Sequence, residues 1–229
     1  MNIPVYVTTC NKYQNTALRP FSYFFNLHWS ELQHVVVIGF QAPDFELPPN
    51  FKFLSAGEDK GQKSWSTGLI LALRELQDEL FVLLLDDYFL SRKADNSGVA
   101  TLADYMQSHP NTLRMDLTAD RLYAGGMFDL EPFGHYDIIE TPPSTPYQMS
   151  VQAGIWRRSL MLELLRPDMS PWEVELQTTV PGRMRILGTR QSPVRYANVF
   201  KGGDPDKLLN LEQLPGEHVE ELRRRGWLK

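Results

Sequence analysis

Apolar residues fall into two kinds of run, and their alternation organises the first half of the chain. Ile3 to Thr9 is a short β-rich run that closes on the polar stretch Thr8-Thr9-Cys10-Asn11-Lys12. Leu18, Phe21, Phe25 and Trp29 then recur at spacings of three and four, the period of one helical face. Pro20 predicts that this helix starts just before it, because a proline deeper inside costs about 3 kcal/mol. His34–Phe40 (HVVVIGF) predicts a second strand and Phe51–Ser55 a third, joined by a loop holding Pro43, Pro48 and Pro49. Trp65, Leu69, Ala72, Leu73 and Leu76 mark another helix. Phe81 to Leu85 is apolar at every position, as a strand covered on both faces must be.

The second half is less regular. Ser97 is placed to cap a helix carrying Val99, Leu102 and Met106. Thr112–Leu117 reads as a strand. Residues 119–146, rich in Gly, Pro and aromatic residues, read as a long excursion of the kind that forms lids or acceptor-binding segments. Helices near Ser159–Leu165 and Pro171–Thr179, strands near Met184–Gly188 and Val194–Phe200, and a helix over Pro215–Arg225 follow. Strand–helix–strand repetition predicts an α/β fold whose mainly parallel central sheet is flanked by helices. No internal repeat, low-complexity tract or linker divides the 229 residues, so one domain is expected.

Charge and composition narrow the function classes. Lys plus Arg is 23 and Asp plus Glu is 28, a net charge of −5, which argues against a nucleic-acid partner. Cys10 is the sole cysteine, so no disulfide framework or Cys-rich zinc site can form, and the five histidines show no H-x-x-x-H spacing. The apolar run through Phe81–Leu85 is far short of the roughly 20 residues of a bilayer span. MNIPVYVTTC lacks the basic and apolar regions of a signal peptide. A cytoplasmic location is expected, with peripheral membrane contact left open.

In open parallel sheets, ligands bind beyond the carboxyl ends of the strands. Two polar clusters stand at such ends: TTCNKY after the first strand, and Asp86-Asp87-Tyr88 after FVLLL. Adjacent carboxylates leaving a buried strand repel one another and lose solvation. A divalent cation bridging to phosphate oxygens offsets both effects, and a simple turn or helix cap is the plainer alternative. In Ser170-Pro171-Trp172-Glu173-Val174-Glu175, Glu173 falls three after Ser170, which makes a capping box with Pro171 at the first helical position. Capping leaves Trp172 beside two carboxylates unaccounted for, so cap and catalytic group both stand for Glu173. Gly57 to Trp65, with Lys60 and Lys63 ahead of a helix, suits either a phosphate or an ordinary polar cap. It matches no P-loop, and the chain has no G-x-G-x-x-G. Arg223-Arg224-Arg225 ends the last helix, complementing its dipole or meeting an anionic lipid surface.

VYVTTCNKY, KSWSTGLILAL, FVLLLDDYFL, and QAGIWRRSLMLELL followed by SPWEVE span roughly residues 3 to 175. Together they resemble the nucleotide-sugar glycosyltransferases of the GT-A fold, family 2-like. The resemblance implies one domain over 1–229, with a nucleotide-binding half (1–117), an acceptor and catalytic half (118–200), and a C-terminal tail and helix (201–229). It implies Mn²⁺ or Mg²⁺ held chiefly by Asp87, with Asp86 at the ion and facing the ribose or donor sugar. Thr8, Thr9, Asn11 and Lys12 would border the nucleotide, and Asp59 and Trp65 would lie near its base or ribose. Gln152, Ala153 and Gly154 would flank the sugar. Lys12 and Lys63 would neutralise the departing diphosphate, and Glu173 would be the base. Tyr88 departs from the family's Asp-x-Asp, whose third position is acidic. The implied reaction moves a sugar from a nucleoside-diphosphate sugar to a hydroxyl acceptor, a glycan or polysaccharide, by a single inverting displacement. A nucleotidyltransferase, or a binding module without catalysis, is the alternative; the former normally carries a Gly-rich, Arg/Lys-containing loop after the first strand, which TTCNKY lacks.

Overall fold

A computed structural model describes residues 3–123, 125–200 and 207–228, so residues 201–206 of the expected tail lie outside the described residues. In chain order the elements are β1 (Val5–Thr8), α1 (Gln14–Phe25), β2 (Val35–Gly39), β3 (Phe51–Ser55), α2 (Ser64–Glu75) and β4 (Leu80–Leu85). Next come β5 (Tyr88–Leu90), α3 (Asn96–Ser108), β6 (Thr112–Asp116), α4 (Asp120–Tyr123), β7 (Phe128–Phe133) and β8 (Tyr136–Glu140). The rest are β9 (Gly154–Arg157), α5 (Arg158–Leu164), α6 (Pro171–Gln177), β10 (Arg185–Thr189), β11 (Tyr196–Asn198) and α7 (Gly216–Arg224).

Nine strands form one sheet in the order β3-β2-β1-β4-β9-β6-β10-β8-β7, and β5 pairs with β11 in a small second sheet. Within the large sheet only β8 and β9 run against the common direction. The expected α/β architecture with a mainly parallel sheet is therefore the one observed, and β4 lies inside it between β1 and β9. Side-chain alternation explains why β4 is apolar throughout. Val82 and Leu84 pack into the layer with α1 and α3, while Phe81 and Leu83 pack into the layer with α2, α5 and α6.

Four local expectations change. Pro20 lies seven residues into α1, not in its first turn, because the chain turns into the helix straight after β1, with the Tyr13 and Gln14 amides on Cys10 O. Burial of Phe21, Phe24 and Phe25 offsets the lost backbone bond, and a π-helical turn at Asn26–Ser30 leaves Trp29 stacked on Phe25 at 5.4 Å. Asp95, not Ser97, caps α3, its Oδ1 accepting from the Gly98 amide at 2.9 Å. Much of 119–146 is not an excursion: β7 and β8 form a hairpin that completes one edge of the sheet. The strand expected over Val194–Phe200 shortens to the three residues of β11, which pair with β5 outside the large sheet.

No helix among the described residues is long and apolar enough to cross a membrane. Of the three terminal arginines, Arg224 and Arg225 both pair with Glu221, and the Arg225 guanidinium sits 5.4 Å from the Tyr23 ring centre and 4.9 Å from that of Trp227.

Candidate active site at the carboxyl ends of β1 and β4

Strand order runs outward from β1 to β2 and β3 on one side and to β4 on the other, so the crevice beyond β1 and β4 is the topological switch point. A cleft of about 200 Å³ opens there. Its walls are Thr8, Thr9, Cys10 and Tyr13 after β1, Leu85–Tyr88 after β4, Trp65 from α2, Val151, Asn198 and Phe200, and Pro171, Trp172 and Glu175 from α6.

The acidic pair lies at the floor. Asp86 is buried and its Oδ2 accepts from the Thr9 hydroxyl at 2.5 Å. Burial, and then the neighbouring Asp87 charge, push its carboxyl up to about 8, while burial pushes Asp87 up to about 6. Two carboxylates that resist ionising together are a donor set suited to a divalent cation. Magnesium-like ions commonly use one or two carboxylates and complete their shell with phosphate and water oxygens. Among the described residues no three His, Cys, Asp or Glu side chains gather into a fuller cage.

The opposite wall is α6. Its approach is hung on α2: the Met169 amide donates to Ser66 Oγ at 2.8 Å, the Ser66 amide to Met169 O at 3.1 Å, and the Asp168 amide to Thr67 Oγ1 at 2.9 Å. The capping box is complete, with the Ser170 amide on Glu173 Oε2 at 2.8 Å and the Glu173 amide on Ser170 Oγ at 3.2 Å. Glu173 Oε1 meets Lys63 Nζ at 3.2 Å. The backbone and hydroxyl of Ser170, then Lys63, hold the Glu173 carboxyl below its ordinary range, which weakens it as a proton acceptor. Glu173 is not among the cleft residues; Glu175 is. Glu175 Oε1 accepts from the Val151 amide at 2.9 Å, which fixes its carboxylate against the loop before β9.

Of the residues singled out in the sequence, the cleft brings together Thr8, Thr9, Trp65, Asp86 and Asp87. Asn11 and Asp59 hydrogen-bond each other at 2.8 Å at an exposed position outside this lining, and Lys12 lies over the Tyr13 ring. Lys63 is committed to Glu173 and largely exposed. Gln152 is not among the residues that line the cleft. Gly154 is a packing residue rather than a wall of the site: it sits within β9, where a Cβ would stand 3.0 Å from Arg114 Nε and 3.2 Å from Met115 O. Lining residues that no sequence motif pointed to are Val151, Asn198 and Phe200; Tyr13 closes the TTCNKY stretch after the first strand, with no role assigned to it.

No family model matches the chain, and no curated protein does. The chain is similar to several solved structures. A UTP-bound UGPase from Acinetobacter baumannii matches over 100% of both chains at 10% identity with a TM-score of 0.51. TarS 1–349 from S. aureus, in a crystal with UDP, matches 86% of this chain and 59% of its own at 15% identity and a TM-score of 0.46. A UDP-glucose pyrophosphorylase complexed with UDP-glucose matches 98% and 100% at 8% identity and a TM-score of 0.49. The chain thus spans about three fifths of the TarS fragment, and at 10% identity the likeness to the UGPase is one of fold.

Proposed function

We propose that the chain is a nucleotide-sugar-dependent enzyme, and specifically a glycosyltransferase that moves a sugar from a nucleoside-diphosphate sugar to a hydroxyl acceptor such as a glycan. The observation that carries this reading is one cleft holding a strand-end acidic pair on its floor and Trp172 with Glu175 on the facing wall. Donor and acceptor would enter between them.

In this reading Thr8, Thr9 and Trp65 border the nucleotide. Asp87, with Asp86 beside it, would hold Mn²⁺ or Mg²⁺, which when bound would supply charge neutralisation to the diphosphate. Glu175 takes the proton from the acceptor hydroxyl as that oxygen attacks the anomeric carbon, a contribution of roughly 10²–10⁴-fold. The Val151 amide engages Oε1, and Oε2 would be the oxygen that takes the proton. Glu173 has the positioning role, since its cap and its Lys63 contact hold the first turn of α6.

Nucleotidyl transfer is the competing reading, and the chemistry of the products separates the two. Incubation with UDP-, GDP- and dTDP-sugars plus a panel of saccharides should release a nucleoside diphosphate only when an acceptor is present. Release of pyrophosphate from a nucleoside triphosphate and a sugar 1-phosphate, with no acceptor-dependent release of diphosphate, would replace glycosyl by nucleotidyl transfer.

A further inference from the structure

Arg114 of β6 and Arg121 of α4 share one carboxylate. Both guanidinia pair with Asp116, Arg121 Nε standing 2.6 Å from its Oδ2, and all three side chains are buried. Two glycines leave the space they need. A Cβ on Gly154 of β9 would stand 3.0 Å from Arg114 Nε, and one on Gly188 of β10 would stand 3.2 Å from Arg121 Cβ and 3.5 Å from Asp116 Cβ. Such a cluster is a weak source of stability. Arg114 Nε and Nη1 and Arg121 Nη1 have no hydrogen-bond partner, and a buried ion set can often be replaced whole by apolar side chains at no loss.

What the cluster does hold is one segment of backbone. Arg114 Nη2 donates to Gln152 O at 3.3 Å and Arg121 Nη2 to Tyr147 O at 3.4 Å. Residues 147–152 are therefore tied at both ends to a single buried anion. Between those ties lies Val151, the cleft residue whose amide donates to Glu175 Oε1 at 2.9 Å. The segment does not rest in this shape by itself. Tyr147 sits at φ 57°, a left-handed backbone that disfavours a bulky L residue, and the Ser150 amide turns back onto its carbonyl at 3.0 Å. Strain of this kind persists only where the surroundings over-determine it, and the two guanidinia supply that constraint.

We infer that Arg114 and Arg121, gathered on Asp116, are positioning residues that aim Glu175 by fixing residues 147–152. The inference rests on the base role proposed for Glu175 and extends it to side chains that do not line the cleft. A guanidinium serves here where an ammonium would not, because its planar fork meets a carboxylate and a carbonyl together.

The test pairs amide hydrogen exchange with steady-state kinetics on the full chain, using whichever of the UDP-, GDP- and dTDP-sugars the wild type accepts. Arg121→Lys keeps a cation for Asp116 and gives up the Tyr147 carbonyl. Exchange at the Val151 amide should rise about tenfold, beyond any rise at the Val82 amide inside β4, which reports the stability of the whole chain. The kcat of acceptor-dependent release should fall about tenfold with donor affinity unchanged. In a Glu175→Gln background the same substitution should change kcat by less than about twofold, since a residue that acts through Glu175 has nothing left to aim. A merely structural role lowers kcat by the same factor in both backgrounds. Gly188→Ala presses on Arg121 without removing a charge and should show the same pattern more weakly, so it carries the test if Arg121→Lys does not fold. Unchanged exchange at Val151, or equal losses in the two backgrounds, would overturn the inference and leave the donor reading standing. If the wild type transfers sugar from none of the donors, the glycosyl reading fails and takes the inference with it, whatever the exchange shows.

Discussion

The two glutamates of α6 make opposite demands on the same conservative substitution. At about 100° per residue, Glu173 and Glu175 lie some 200° apart around the helix, so they cannot face one ligand. Glu173→Gln keeps the capping box, since the amide oxygen still accepts from the Ser170 amide. What it loses is the contact with Lys63, whose side chain is 68% exposed, and a solvent-screened pair of this kind adds little to stability. For a chain of this size Tm should fall by at most roughly 4 °C, with transfer within about threefold of wild type. Glu175→Gln also keeps its backbone partner, because the amide oxygen can accept from Val151 as Oε1 does. It loses the ability to take a proton at neutral pH. Acceptor-dependent release of nucleoside diphosphate should fall by about two orders of magnitude or more in kcat, with donor affinity unchanged. Thermal melting, donor titration and steady-state kinetics on both variants settle the matter. A Glu173→Gln protein that loses transfer while Glu175→Gln keeps it would return the base to Glu173 and sink this assignment.

Asp87→Asn should abolish the part of nucleotide-induced thermal stabilisation that depends on Mn²⁺ or Mg²⁺ while leaving the metal-free Tm intact; unchanged metal dependence would remove Asp87 from the site. Asp86 carries a pH signature. Its folded value of about 8 lies above the ordinary 3.8, so the folded chain binds more protons between those limits and stability falls as pH rises through them. Asp86→Asn, which cannot ionise, should therefore gain stability over the wild type from pH 5 to 8.5, by on the order of a few kcal/mol at about 1.4 kcal/mol per unit. The gap should close when Mn²⁺ and UDP are added; a gap independent of pH would refute the burial argument. Asp116→Ala should destabilise by about 3–5 kcal/mol in chemical denaturation, because Arg114 and Arg121, both paired with Asp116 and buried, would be left as uncompensated charges. A loss below about 1 kcal/mol would mean that water already solvates the cluster.

Much of the sheet and its switch point was legible because burial on both faces leaves an unambiguous trace. HVVVIGF and FKFLS become β2 and β3 almost to the residue, and FVLLL becomes the body of β4. The acidic pair was legible for the same reason, since two carboxylates can follow such a run only where the strand leaves the core. The β7–β8 hairpin carried a signal that went unused: Gly134-His135 forms a two-residue turn, with Gly134 at φ 61°, between the opposed Phe133 and Tyr136. Aromatic and proline content masked that turn by suggesting an excursion.

Glu175 and Asn198 were obscure for a different reason. Both belong to the cleft through long-range geometry rather than local pattern. A helix buries whichever side its anchors dictate, and the anchors of α6 are Ser66 and Thr67, about a hundred residues earlier. The cap motif did hold a hint, since a carboxylate consumed at the third helical position has little left for a ligand, which favours the next glutamate. Asn198 offered less, because three residues of β11 produce no periodicity, and its pairing with Tyr88 spans 110 positions of chain. Local pattern thus reveals the groups that must leave a core, while the groups that meet them across a cleft depend on register. That division explains why the cleft residues Thr8, Thr9, Asp86 and Asp87 could be named from the sequence, and why the facing wall had to be read from the fold.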